Sequence, residues 1–586
     1  MTSSLLPPAL IFLVGALILL VVKGRAKQFL ILFIPAVTFI YVIKLAPDAS
    51  LTFHFLEYKL NCLHVDKLSK VFGYIFCIAA FGSFLFAAHI KGKLEHFSAL
   101  IYVGSALGVV FAGDFFTLYI FWEFMAVASV MLIWARREKK SIDAGFRYIL
   151  VHIVGGLVLL AGILLHVHNT GSLTVGRIQS QNIASWLILM GFMLNAAVPP
   201  LSAWLSDAYP ESTATGGVFL SAFTTKTAVY TLLRVFPGWD ILIWLGAIMT
   251  IYGIIYAIME NDSRRILAYS IINQVGFMVC GIGIGTTMAL NGAAAHAFAH
   301  IIYKGLLWMA AGSVFYMTGK TKCTELGGLY KTMPLTLICC SIAAASISAF
   351  PLTSGFTTKT MILEAAVNQH LTIIYIFLEA ASAGVFLHAG IKFPYFVFFA
   401  KDRGWRVSDP KINMQWAMVF FAFLCLLIGI YPQPLYNILP YPVDYHAYTG
   451  MHVIRMLQLL FFSGLAFFAL LKLLKRTETI TMDTDWFYRK GSKLLLYVFT
   501  GIAAGIANFL NYVFVKRLPE TLAAFSKKPV IGLMDMYMSA TGRENPGAKC
   551  LIGERKPELV NLIPAGVPVL IAVVFLSFLA FIFMKG

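Results

Sequence analysis

The side chains in this sequence that can do chemistry are ionisable groups placed where few are tolerated, inside long apolar runs. Glu123 stands in Phe-Thr-Leu-Tyr-Ile-Phe-Trp-Glu-Phe-Met-Ala-Val, with about two helical turns of apolar residues on either side. Lys226 lies midway along Val-Phe-Leu-Ser-Ala-Phe-Thr-Thr-Lys-Thr-Ala-Val-Tyr. His296, His300 and Lys304 are spaced i, i+4, i+8 and so share one stripe of a helix. Lys359 closes Ser354-Gly-Phe-Thr-Thr-Lys, and His152 stands alone in Tyr-Ile-Leu-Val-His-Ile-Val-Gly. A charge at the centre of a membrane helix costs about 2.5–3.5 kcal/mol on the insertion scale, so each of these residues is a functional candidate.

The chemistry they offer is proton transfer. Histidine takes and passes a proton near neutral pH, and a lysine whose carboxylate partner comes and goes is a proton switch. Each residue also has a plain structural reading: a neutral Glu123 bonded to a neighbouring helix, Lys226 in a static ion pair, histidines that are merely packed. Zinc on His296 and His300 lacks a carboxylate or thiol to complete a tetrahedral set. The eight cysteines show no C-x-x-C spacing, which argues against structural zinc, iron–sulfur ligation and a disulfide framework, and no cofactor motif is present. Lys392 and Arg234, nearer span ends, read as snorkelling side chains. Asp207, Asp262, Arg264 and Arg265 read as loop or helix-end charges near a pathway mouth.

The elements that must position these groups follow from composition. Of 586 residues, 59% are hydrophobic and 12% charged, against about 45–50% and about 25% in an ordinary globular chain. Such a chain cannot cover itself in water, so the fold class is an all-α polytopic membrane protein. The net charge of +18 does not make a nucleic-acid binder, because the basic residues sit in short clusters between apolar runs. About seventeen runs are long enough to span a bilayer, from 5–22 to 561–584. The first reads as a retained helix and not a signal peptide, since it lacks a basic leader. No strand-period segment is expected between them, and the polar stretch at 516–558 is expected to hold an amphipathic or surface segment. Lys23, Arg25 and Lys27, Lys91 and Lys93, Arg136 to Lys140, Arg264 and Arg265, Lys320 and Lys322, and Lys401 to Arg406 fall on alternate loops, which places that face in the cytoplasm.

Two spans contain prolines near their middle: Asn195-Ala-Ala-Val-Pro199-Pro200 and Ser348-Ala-Phe-Pro351-Leu-Thr-Ser-Gly355. Proline removes a backbone donor and strands a carbonyl, so each helix should break there. Two broken helices five spans apart point to an inverted-repeat transporter with its path at the breaks.

Phe121-Trp122-Glu123, Val198-Pro-Pro-Leu201 with Trp204-Leu205 and Asp207-Ala208, and Thr225-Lys226-Thr-Ala-Val-Tyr230 resemble the proton-conducting antiporter-like family. So do Asp262-Ser-Arg-Arg265 with Leu267-Ala-Tyr-Ser270, His300 through Lys304, and Gly355-Phe-Thr-Thr-Lys359. That family includes the A-type and D-type components of Mrp multisubunit sodium/proton antiporters and the antiporter-like subunits of respiratory complex I and membrane-bound hydrogenases. The resemblance covers residues 60–400, and the likeness is to the D-type Mrp component. It implies a fourteen-helix core with two inverted five-helix repeats and broken helices seven and twelve; three extra spans follow the core. It assigns Glu123 to helix five, Lys226 to helix eight, His300 and Lys304 to a central relay, and Lys359 to the end of the axis. Organisation is expected as N-terminal helices at 1–95, repeats at 96–236 and 239–400, and a C-terminal extension at 401–586. Asn195 is a departure, standing where the family places a lysine paired with the helix-five glutamate, and His152 is the residue expected to substitute. The expected function is proton translocation within a cation/proton antiporter of the inner cell membrane, with protons, sodium, other membrane subunits and lipid as partners. A proton-pumping arm of a redox complex and a non-transporting scaffold stay open as alternatives. The spans hold no carboxylate cluster that would supply sodium ligands.

Overall fold

A computed structural model describes residues 5–471, 483–527, 536–540, 542 and 573–574. It divides into two compact units, Met1–Asp485 and Trp486–Gly586. Among the described residues, twelve helices are long and apolar enough to cross a membrane, and three shorter apolar helices accompany them.

The first unit opens with α1 (Pro8–Val21), α2 (Gly24–Lys44), the strands β1 (Ser50–Phe55) and β2 (Tyr58–His64), α3 (Lys67–Ala87), α4 (Leu94–Phe111), α5 (Phe115–Trp134) and α6 (Lys139–Thr170). Then come α7 (Ile183–Asn195), α8 (Ala203–Ala208), α9 (Gly216–Ala222), α10 (Thr224–Val235), α11 (Asp240–Met259), α12 (Ser263–Ile284) and α13 (Thr287–Thr318). They are followed by α14 (Pro334–Ile347), α15 (Ser354–Asn368), α16 (Thr372–Val385), α17 (Ile412–Ile430), α18 (Gln433–Ile438) and α19 (Gly450–Ala469). With each of three interrupted pairs counted once, α1 to α17 are fourteen helical units, the number implied by the family resemblance. The second unit contains α20 (Asp485–Leu510) from Trp486 onward, continued through a π-helical turn into α21 (Leu518–Lys527). The expected span at 561–584, apart from 573–574, and most of the polar stretch beyond Lys527 lie outside the described residues.

The interruptions at α7/α8 and α14/α15 share one backbone geometry. Ala197 and Ala349, each two residues before a proline, take φ of 59° and 58°. The next amide reaches back five residues in both cases, Val198 to the Met193 carbonyl (3.1 Å) and Phe350 to the Ala345 carbonyl (2.9 Å). This is the Schellman ending, and the prolines that follow prevent the helix from resuming in register. The same device at equivalent places in both halves is what inverted repeats require. A third interruption, at Phe223 between α9 and α10, has no proline. There the Tyr102 hydroxyl of α4 accepts from the Thr224 amide (3.0 Å).

One expectation fails here. The segment after α2 is an antiparallel hairpin, Phe55 pairing with Tyr58 across a two-residue turn in which Leu56 has φ of 53°. Asn61 donates its amide to Asp114 at the start of α5 (2.7 Å). The alternation Leu51-Thr-Phe-His-Phe and Tyr58-Lys-Leu-Asn-Cys-Leu is a strand pattern, hidden by the apolar spans on either side. Two of the basic loops meet: Lys23, Arg25 and Lys27 line one pocket of about 540 Å³ with Lys91 and Lys93.

Candidate functional site: a row of buried proton-carrying groups

The first position is built on α5 and α6. The Glu123 carboxyl lies against Gly156, where an added Cβ would collide with Oε1, so glycine makes room for it. Oε1 has no hydrogen-bond partner among the described residues. One turn earlier on α6, His152 is buried with its ring stacked on Tyr148 at 4.0 Å and edge-on to Trp204 of α8 at 4.6 Å. Its Nδ1 is 2.9 Å from the Tyr148 carbonyl. A carbonyl only accepts, so Nδ1 carries the hydrogen and Nε2 is left as an acceptor in the neutral ring. Asn195 ends α7, buried, with Nδ2 unpartnered among the described residues. Trp204 holds the broken helix by donating Nε1–H to the Leu194 carbonyl (2.9 Å).

Lys226 follows the third interruption and is fully buried. Its ammonium nitrogen donates to the freed Ser221 carbonyl (2.6 Å) and to Thr225 Oγ1 (3.1 Å). No ion pair to it occurs among the described residues, which excludes the static-pair reading within them.

The central stretch is carried by α13, whose stripe of His296, His300 and Lys304 is fully buried. Spacing of four residues sets successive groups about 6 Å apart along the axis. His296 is held by Gln274 Oε1 on α12 (3.1 Å) and Thr358 Oγ1 on α15 (3.3 Å), and Tyr303 donates to the same Gln274 oxygen (3.0 Å). Thr358 immediately precedes Lys359, so this network joins the α13 stripe to the last lysine. Both nitrogens of His300, and Nζ of Lys304 and of Lys359, have no hydrogen-bond partner among the described residues. Lys359 Nζ lies 5.3 Å from the Phe277 ring centroid. Buried polar groups are almost always hydrogen-bonded, and an unpaired buried charge is costly. A row of three lysines with no carboxylate in hydrogen-bond contact among the described residues therefore holds charge only where water or a moving acid reaches it. Charge on one also disfavours charge on the next.

Several charges stand elsewhere than expected. Lys392 does not snorkel: it is 2% exposed, and Nζ donates to the carbonyls of Ala257 (2.6 Å), Ile258 (2.6 Å) and Glu260 (2.8 Å), capping α11. Arg234 forms a forked pair with Asp66 (2.7 and 2.8 Å). Arg264 is a helix-end charge in the first turn of α12, fully buried, and donates to Ser212 and Thr213 at 2.8–2.9 Å. Asp207 is gripped by Arg147 (2.6 and 2.9 Å). These are salt-bridge and capping roles, outside the row.

Sequence reasoning passed over Gln274 and Tyr303, which are uncharged, and His388. The latter sits in a π-helical turn, Phe386–Lys392, is fully buried, and donates Nδ1–H to the Gly384 carbonyl (2.7 Å). Its Nε2 is unpartnered among the described residues. Gly384-Val-Phe-Leu-His388, a histidine inside an apolar run, was the available signal. Glu364 on α15 and Glu379 on α16, also passed over, line one small cavity.

Comparison with known proteins bears on this arrangement. A family model described as NADH:quinone oxidoreductase/Mrp antiporter, TM, matches residues 112–386, which hold all of the row. The M component of the NADH-quinone oxidoreductase of Pseudomonas aeruginosa is 30% identical over 374 residues, covering 58% of this chain and 73% of that protein. The D component of the Na(+)/H(+) antiporter of Alkalihalophilus pseudofirmus is 27% identical over 355 residues, covering 56% and 71%. A chain of the solved Mrp complex from Dietzia sp. superposes with a TM-score of 0.77 at 22% identity, over 90% of this chain and 62% of that one.

Proposed function

Because this chain belongs to the NADH:quinone oxidoreductase/Mrp antiporter family of membrane subunits, we propose that it moves protons sideways through the membrane along Glu123, Lys226, His300, Lys304 and Lys359. His152 serves the Glu123 end of that axis, His296 links its central stretch to Lys359, and the breaks at Pro199-Pro200 and Pro351 admit water to it from opposite faces. The complex it serves is a multisubunit antiporter of the cell membrane that exchanges sodium for protons, assembled with other membrane subunits. The observation that carries this reading is the set of fully buried nitrogens on His300, Lys304 and Lys359 without hydrogen-bond partners among the described residues. A merely structural network would pair its charges, as Arg234–Asp66 and Arg147–Asp207 do.

In operation, a proton taken up at Glu123 removes the negative charge that stabilises an ammonium on Lys226. The change at Lys226 is felt by His300 and Lys304, and passes to Lys359 through the His296–Gln274–Thr358 network. Each transfer neutralises one group as it charges the next, so no step leaves two adjacent buried cations uncompensated.

A second reading has a specific support: the Pseudomonas aeruginosa relative is part of a redox enzyme. There the same axis would be driven by electron transfer in partner subunits. Affinity purification from native membranes in mild detergent, with mass spectrometry, separates the two. Small membrane partners without redox centres support the antiporter, and iron–sulfur or nickel partners support the redox pump. Lys226→Ala tests the axis itself. Proton flux in everted vesicles should fall to background while the complex still assembles; full flux in the assembled variant would leave only a scaffold role.

A further inference from the structure

Beyond Lys359, on the face opposite the basic loops, a second group of titratable side chains gathers that the axis above does not use. Three helices build it: α15, α16 and α19, the last of which follows the fourteen-helix core. Thr360, Glu364, Tyr375, Glu379, His452 and Arg455 line a small cavity of about 20 Å³, room for roughly one water molecule. His452 Nε2 lies 3.1 Å from Glu364 Oε2, and Tyr375 donates its hydroxyl to Glu379. Tyr445 donates its hydroxyl to Thr360 Oγ1 at 2.7 Å, and Arg455 lies 5.8 Å from the Tyr375 ring centroid.

Three observations connect this group to the axis. Thr360 is the residue after Lys359. Glu379 stands on α16, which packs against α15, the helix of Lys359, whose buried Nζ has no hydrogen-bond partner among the described residues. The depths also form a series: at about 1.5 Å per residue, Lys359 is about 13 Å and Glu379 about 10 Å from the helix ends on that face, and Glu364 about 6 Å. His452 stands in the first turn of α19, and Arg455 is exposed. The groups thus run from a fully buried cation to the surface through partly buried acids.

We propose that Glu379, Glu364 and His452 form the gate by which protons pass between Lys359 and the aqueous phase on the face opposite the basic loops, with α19 supplying the outermost relay. The Lys359 ammonium gives a proton to the Glu379 carboxylate, leaving a neutral amine and a neutral acid. Glu379 passes it, directly or across the cavity, to the Glu364–His452 pair, and the imidazolium releases it to solvent. Uptake runs the same steps in reverse.

This proposal rests on the proton axis proposed above, and its test separates the two. Proton flux is measured in everted vesicles containing the whole complex, with and without imidazole on the gate side. Glu379→Gln and His452→Gln should slow flux by about tenfold or more. Imidazole should restore flux to His452→Gln and Glu379→Asp should be close to wild type, whereas Lys226→Ala should be insensitive to imidazole. Blue-native gels establish that each variant assembles. If Glu379→Gln, Glu364→Gln and His452→Gln all keep wild-type flux while Lys226→Ala abolishes it, the gate is wrong and the axis stands. If Lys226→Ala also keeps full flux, the axis fails and the gate fails with it.

Discussion

At the scale of single residues, what distinguishes the row is the shortage of partners. Glu123 has a tailored space at Gly156, and His152 on the same helix as that glycine has its Nδ1 tied to Tyr148 and its Nε2 left open among the described residues. Asn195 cannot carry a proton, and under the proposed function the open imidazole of His152 exchanges with Glu123 in its place. His152→Gln should lower proton flux toward that of Glu123→Gln; unchanged flux in an assembled His152→Gln complex would remove His152 from the path. Gly156→Ala should push the carboxylate aside and reduce flux on the order of tenfold to a hundredfold, as small misplacements of reacting groups do, without loss of assembled complex. Glu123, Lys226, His300, Lys304 and Lys359 were legible because ionisable letters in apolar text are rare. The lack of hydrogen-bond partners on His300, Lys304 and Lys359 among the described residues was not, since it depends on what every neighbouring helix fails to bring.

At the scale of elements, the interruptions do the positioning. Proline announces two of them, and the αL alanines Ala197 and Ala349 are held there at a cost of about 1–2 kcal/mol each relative to an unstrained residue. The third is built from tertiary contacts: Tyr102 takes the freed Thr224 amide and Lys226 takes the freed Ser221 carbonyl. Lys226 is thereby positioned by the same break that its own side chain helps to satisfy. Lys392 shows another side of helix ends, closing three carbonyls at the end of α11 from a different helix. Lys392→Met should destabilise the subunit by about 1–3 kcal/mol through the carbonyls left unsatisfied, read as a lower thermal midpoint of the purified complex. Lys392→Arg should lose less, and a Lys392→Met midpoint equal to wild type would return this lysine to a snorkelling role.

At the scale of the whole chain, Asp483, beyond α19, lies in the core of the first unit. Asp483 is 5% exposed and accepts from Tyr269 of α12 (2.7 Å), from Tyr252 of α11, and from Ser206 of α8 (3.2 Å). One carboxylate thus pins three helices beside the break after Pro200. Asp483→Ala should cost roughly 1–3 kcal/mol, because it strands buried hydroxyls. Thermal unfolding of the purified complex checks it, and a change confined to flux with no change in midpoint would make Asp483 part of the path and not a clasp. The same extension contributes His452 and Arg455 to the group around Glu379, so α19 meets the core through titratable side chains as well as by apolar packing.

The sequence by itself determined the solvent, the helical class, two of the three breaks and which ionisable residues stand inside the longest apolar runs. These follow from local composition: apolar length sets a span, proline ends a helix, and a lysine in lipid is costly wherever its helix packs. Only the tertiary structure decided which charges stay unpaired, which become caps, and which distant acids meet. Glu364 and His452 are 88 residues apart, and Arg234 and Asp66 are 168 apart. Such pairs are chosen by how helices pack against one another, and nothing in either local segment encodes the partner. The hairpin at 50–64 was missed for a related reason. Its alternation was present in the letters, but only its docking on the start of α5 makes so short a pattern a stable element.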